Sequence, residues 1–146
     1  MKTGVITQKL NSRRQYVEEL TSLSQRSLPE YLQDAVLRRA VERVLQITIE
    51  CIVDCNNLII VGLGGRPAPD HKSTFLMLAD KGVLTEEFAR RLVAYVKTRN
   101  LLVHEYEMIK NELVYAAMQT GIKDFLEFRR QVAEFLDKLK KNERVN

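Results

Sequence analysis

From Val36 to Leu58 apolar side chains recur every third or fourth position without a proline, and that stretch limits what this chain can fold into. Val36, Ala40, Val44, Ile47, Cys51, Cys55 and Leu58 form one stripe of a helix; Leu37, Val41, Leu45, Ile52 and Ile59 form a second beside it. A helix apolar over so wide an arc has to be covered on most sides. It is expected at the centre of a helical bundle, shared with a second copy of the chain, or both. The run Gly62-Leu63-Gly64-Gly65-Arg66-Pro67-Ala68-Pro69 ends it, with glycine to cap and proline to prevent continuation. These glycines follow a helix, not a strand, and lack the Lys-Ser/Thr of a phosphate-binding loop.

Shorter helices are expected on both sides. One runs from about Thr7 to Gln25, with Leu10, Val17, Leu20 and Leu23 inward; Ser27, Pro29 and Glu30 then read as a capped start. Ser73 to Asp80 makes a short helix closed by Lys81-Gly82. Thr85-Glu86-Glu87 opens the next, which turns Phe88, Leu92, Tyr95 and Val96 inward and reaches Arg99 near its C-terminal end. After a break around Glu107 to Asn111, Glu112 to Met118 is expected as a short piece. A last helix follows Gly121, with Phe125, Phe128, Val132, Phe135 and Leu139 on one face and a charged, fraying tail from Lys138 to Val145. No stretch alternates with the period of a strand. The expected fold is all-α, an up-down bundle of four to five main helices forming a single domain over residues 1–146.

A net charge of +4 and an isoelectric point near 9.1 suit an anionic partner such as nucleic acid, though no block of consecutive Lys or Arg exceeds two. The two cysteines, Cys51 and Cys55, are four residues apart and read as small buried hydrophobes of a reducing compartment, not as a Cys-x-x-Cys element. The N-terminus, from Met1-Lys2-Thr3-Gly4, lacks an apolar signal core, and no uninterrupted apolar run approaches the ~18 residues of a membrane span. A cytoplasmic protein that does not enter membranes is expected. His71 follows the glycine loop and reads as solvated.

One short segment carries usable chemistry: Arg99-Asn100-Leu101-Leu102-Val103-His104-Glu105-Tyr106. On a straight helix Arg99 and His104 stand roughly 140° apart around the axis and about 7.5 Å along it. Asn100 and His104 would stack on one face and could hydrogen-bond, and Tyr106 would align with Arg99 if the helix continued that far. RNA supplies its own nucleophile, the 2′-hydroxyl. Its cleavage then needs a group that moves protons near neutrality and a cation for the phosphorane, the abilities of an imidazole and a guanidinium. Neither a metal nor a cofactor is required by that scheme. Against this stand ordinary structural roles: an arginine complementing a helix C-terminus, a solvated histidine and a packing tyrosine.

The same segment, an Arg with a polar residue after it and a His a few positions on, resembles the signature of the HEPN superfamily. Its His-x-Tyr ending resembles the HepT toxins of HEPN/MNT toxin–antitoxin systems. The resemblance extends through Arg39-Ala40-Val41-Glu42-Arg43 with Glu50 and Asp54, through Leu78 to Leu84, and through Glu112-Leu113-Val114-Tyr115. It implies a bundle that dimerises through its long helices, so that two Arg/His sets line a shared cleft. The activity it implies is that of a metal-independent endoribonuclease toxin of a type VII-like system, acting by 2′-hydroxyl attack. Arg99 and His104 would be catalytic, Asn100 supporting, and Tyr106 the site that a nucleotidyltransferase antitoxin inactivates with AMP. RNA, the antitoxin and a second copy are then the partners. A non-catalytic HEPN module that binds nucleotide or regulates a nucleotidyltransferase is the alternative. Glu42, Glu50 and Asp54 are expected to form structural ion pairs, or to position Arg99 or the dimer.

Overall fold

The computed structural model describes residues 3–145, with side chains through Glu143; Met1, Lys2 and Asn146, part of the expected 1–146 domain, lie outside the described residues. The helices are α1 (Thr3–Ser12), α2 (Arg14–Leu23), α3 (Leu28–Gln33), α4 (Ala35–Gly62), α5 (His71–Asp80), α6 (Glu86–His104) and α7 (Asn111–Val145). A 3-10 turn, Tyr106–Met108, lies between the last two, and no strand occurs among the described residues.

α4 is the centre. It packs against every other helix, and Leu37, Val41, Leu45, Ile49, Ile52, Ile59 and Ile60 are buried in one continuous core. The second apolar stripe is therefore the core face. Of the first, only Cys55 is buried; Val36 is 75% exposed, and Ala40, Val44, Ile47, Cys51 and Leu58 are half-buried. One window of α4, with a mean hydropathy of 1.6, is long and apolar enough to cross a membrane, although none of its apolar runs is unbroken over that length. Polar residues interrupt the runs without lowering the mean far. More than half of the window, 56%, is buried against the other helices.

The chain departs from its periodicity at three other places. The helix expected from Thr7 to Gln25 breaks at Arg13, whose φ of −102° and ψ of 3° interrupt the spiral. Asn11 and Ser12 precede it, and short polar side chains compete for backbone groups; Ser12 Oγ donates to the Lys9 carbonyl at 3.1 Å. Ser27 does cap a helix, with the reciprocal Glu30 contact, but α3 stops at Gln33 and Asp34 starts α4 by accepting from Leu37 N at 3.0 Å. Finally, no break occurs at Gly121. α7 runs through it as one helix, and the helical backbone continues through the charged tail to Val145.

Gly121 serves a contact instead of a cap. A Cβ there would lie 3.0 Å from the Phe125 ring and 3.4 Å from the Tyr95 ring, so the missing side chain lets α6 approach α7. Tyr95 Oη donates to Asp124 Oδ2 at 2.6 Å, and Arg91 pairs with Oδ1 of the same carboxylate at 2.8 Å. On α7 the buried row is Val114, Met118, Phe125, Phe128, Val132 and Leu136; the expected Phe135 is half-buried because the 3.6-residue period drifts past it. Fully burying side chains such as Phe125 and Phe128 stabilises the fold by about 1.5–3 kcal/mol each.

Candidate functional site

α6 starts at Thr85, whose Oγ1 accepts from Phe88 N at 3.3 Å, with Glu86 and Glu87 in its first turn. Phe88, Ala89, Leu92, Tyr95, Val96 and Leu102 fix its inner face. The helix continues past Arg99 to His104 and closes with Glu105 N donating to the Leu101 carbonyl at 3.2 Å. Both residues of the motif therefore ride on one regular helix. Roughly 140° of helical rotation separates them, so within one chain they face different ways.

Arg99 faces α4. Its side chain is 17% exposed, Nε donates to Glu50 Oε1 at 3.1 Å, and Nη1 donates to Asn100 Oδ1 at 3.2 Å. Nη2 makes no hydrogen bond among the described residues, which leaves one edge of the fork open to an acceptor. Burial pushes the Glu50 carboxyl up, but hydrogen bonds from Gln46 and Arg99 and the charges of Arg99 and Arg43 outweigh it and hold the group below its usual value. Glu50 thus stays ionised and fixes the guanidinium. Asn100 is engaged by Arg99, not by His104 as the four-residue spacing allows. His104, in the last turn, is exposed and without a hydrogen bond among the described residues.

Because the helix ends at His104, Tyr106 does not align with Arg99. It sits in the 3-10 turn, 57% exposed, and its hydroxyl donates to Glu42 Oε1 at 3.1 Å. Glu42 is only 8% exposed. Glu42, Gln46 and Glu50 follow one another at four-residue steps, so one face of α4 holds both Tyr106 and Arg99, about 12 Å apart along the axis. As the numbers rise on α6 they fall on α4, so the two helices run antiparallel. Asp54, four residues further, is exposed and acts on Arg13 and Cys55 instead.

Two features were not legible in the sequence. One is Gln46, donating to Glu50 at 3.0 Å; a polar residue midway between two glutamates of an apolar helix was the available signal. The other is an open groove beside Tyr106, lined by Arg38, Arg39, Glu42, Ile109 and Asn111, which arises only where α4 meets the 3-10 turn. Away from both, burial pushes the Cys55 thiol up to about 12, and half-buried Cys51 accepts from Arg13 Nη1 at 3.0 Å. Both thiols are free. Among the described residues no group of three or more His, Cys, Asp or Glu stands where it could hold a metal ion.

The sequence and fold have known counterparts. A family model described as ribonuclease HepT-like matches residues 13–132. A tRNA nuclease HepT of Aphanizomenon flos-aquae is 26% identical over 132 residues, 90% of each chain. An mRNA nuclease HepT of Shewanella oneidensis is 26% identical over 99 residues, covering 68% of this chain and 74% of the relative. Among solved structures, the tri-AMPylated HEPN toxin of Shewanella oneidensis in complex with its MNT antitoxin superposes with a TM-score of 0.81 at 23% identity, covering 89% of this chain and 97% of that one. The cytosolic protein YutE of Bacillus subtilis superposes with a TM-score of 0.78 at 20% identity, covering 94% and 92%.

Proposed function

This chain belongs to the HepT-like ribonuclease family, and from that premise we propose that it is the toxin of a toxin–antitoxin pair, cutting RNA with Arg99 and His104. The observation that carries the assignment is the state of the two side chains. Arg99 is held by Glu50 and Asn100 with Nη2 left over, and His104 stands in solvent on the same helix. A guanidinium oriented in advance stabilises developing phosphorane charge without reorganising, and an accessible imidazole can exchange protons with substrate.

In the proposed reaction the 2′-oxygen attacks the adjacent phosphorus, His104 takes its proton, and Arg99 holds a non-bridging oxygen. The bond to the 5′-oxygen breaks, that oxygen is protonated as it leaves, and a 2′,3′-cyclic phosphate remains. No metal ion enters these steps. The facing of Arg99 and His104 in different directions supports a cleft built by two copies, and the half-buried row of α4 from Ala40 to Ile47 offers a face for the second.

Control is assigned to Tyr106. AMP on the hydroxyl of this exposed tyrosine would add bulk and negative charge two residues from His104, repelling an RNA phosphate and obstructing the groove. The agent would be a nucleotidyltransferase antitoxin, the kind of partner named for the Shewanella oneidensis structure.

Arg99→Ala and His104→Ala should each abolish RNA cleavage and growth inhibition while still folding cooperatively, with Arg99→Ala melting somewhat lower because it gives up the Glu50 pair. A variant that still cuts at the wild-type rate would remove its residue from the reaction. Tyr106→Phe should cut RNA yet escape the antitoxin, with AMP found by mass on the wild type alone.

A further inference from the structure

The groove beside Tyr106 holds more machinery than an acceptor hydroxyl needs. Glu42, buried and on α4, receives the phenolic proton in its one hydrogen bond among the described residues, at 3.1 Å. Arg39 lines the same groove, exposed and with no hydrogen bond or ion pair among the described residues. Arg38, its neighbour, is already committed: Nη1 donates to the Leu32 carbonyl at 2.5 Å and reaches the Tyr31 carbonyl at 3.4 Å. Behind them Tyr31 of α3 is completely buried, and its hydroxyl has no partner. That hydroxyl feels the charges of Glu42, Arg38 and Tyr106, so it belongs to the same cluster, and burial first and Glu42 second push it upward. An unpartnered buried hydroxyl is costly to keep, and here it lies within the field of a carboxylate whose one bond is to a removable proton.

We propose that Glu42 is the base that accepts the Tyr106 phenolic proton when a nucleoside monophosphate is transferred to that oxygen, and that Arg39 receives the phosphate. The inference rests on the reading of Tyr106 as the modified residue and deepens it: the toxin supplies part of the chemistry of its own inactivation. The balance is simple. Tyr106 Oη attacks the α-phosphorus of a nucleoside triphosphate, and an O–P bond forms. The bond from that phosphorus to the pyrophosphate oxygen breaks with its electron pair, and the phenolic proton passes to Glu42 Oε1.

The arrangement also accounts for the product. A carboxylate beside a phosphodiester is repulsive, and the Arg39 guanidinium in the same groove offsets that charge. The other charged or titratable groups facing Glu42 are Arg38 on its own helix and Tyr31 on α3, and neither is free to take the proton: one is cationic, the other a buried phenol.

The test uses the intact protein and adenosine 5′-phosphorimidazolide, a donor that transfers AMP without an enzyme, with peptide mass mapping of all five tyrosines. Wild-type protein should label fastest at Tyr106. Glu42→Gln, which keeps an acceptor but no base, should label there at least about tenfold more slowly at neutral pH. The ratio of wild-type to variant rates should shrink as pH rises and hydroxide replaces the missing base; Glu42→Asp should restore part of the rate. Arg39→Gln should slow labelling without changing that pH dependence. Equal rates and equal pH dependence in wild type and Glu42→Gln would overturn the proposal. Were Glu42→Gln unable to fold, Glu42→Ala, which also removes the carboxylate base, carries the same comparison. AMP found on another residue after co-expression with a nucleotidyltransferase antitoxin would overturn the Tyr106 reading itself, a failure distinguishable from loss of the base role of Glu42.

Discussion

Arg99 owes its orientation to a partner 49 residues away in the chain. Glu50 holds Nε at 3.1 Å, and the pair is only partly open to solvent, 17% and 34% for the two side chains. Glu50→Gln keeps a neutral acceptor but loses the charge, so kcat for RNA cleavage should fall by up to roughly a hundredfold with little change in KM. An unaltered kcat would mean that the pair only braces α4 against α6. The pH behaviour has a definite sign. The folded-state value of Glu50 is lowered from 4.5, so its contribution to stability is present above that value and is lost as pH falls through the lowered one. Without Arg99 the largest remaining influence is burial, which raises it. An NMR titration of the Glu50 carboxyl should thus show a midpoint below 4.5 in the wild type and a higher midpoint in Arg99→Ala. At this scale the sequence was half informative. The residue types and spacing of Arg99, His104 and Tyr106 were legible, but Asn100 bonding Arg99 and Tyr106 reaching Glu42 were not: the first goes with the orientation that Glu50 gives Arg99, and the second follows from where α6 stops.

Helices show the same division. Periodicity located α4 and α6 well because each presents a steady apolar row to the core. It misplaced the end of one helix and the start of another at Gly121, where a residue usually read as a breaker is kept for the closeness of Tyr95. The two effects of glycine oppose each other. Replacing it within a helix with alanine gains about 1 kcal/mol of propensity, while the new Cβ presses on Phe125 at 3.0 Å. Gly121→Ala should therefore change stability little, whereas Gly121→Val should destabilise by about 1–3 kcal/mol through overpacking. Urea unfolding checks both; a valine variant as stable as wild type would show that α6 and α7 are not tightly seated there. Leu45→Ala, at a fully buried position on α4, should cost about 2–5 kcal/mol.

For the whole molecule the decisive fact is that one helix carries Arg99 and His104 on different sides. If two copies build the cleft, each contributing one of the pair, mixing Arg99→Ala with His104→Ala subunits should restore RNA cleavage in a fraction of the dimers. Both variants remaining inactive when mixed, with exchange verified by mass, would place the pair within one subunit. The proposed mechanism also predicts that EDTA leaves cleavage unchanged; a requirement for added magnesium would contradict it. RNA binding should weaken steeply with salt, in keeping with a net charge of +4. One named relative is a tRNA nuclease and another an mRNA nuclease, so membership of the family does not by itself fix which RNA is cut.

The sequence alone determined that this chain is all-helical with α4 at its centre, since a helix of that length with two adjacent apolar stripes needs neighbours on most sides; tertiary structure decided that the second stripe faces the core and the first stays largely half-buried. The sequence also determined the chemistry on offer, since an imidazole and a guanidinium keep their character wherever they are placed. Tertiary structure decided which groups meet. Glu42 and Glu50 stand 64 and 49 residues from Tyr106 and Arg99, and they touch only because α4 and α6 run antiparallel with their polar faces in register. That register is set by packing on the opposite, apolar sides of the two helices, which no local spacing encodes.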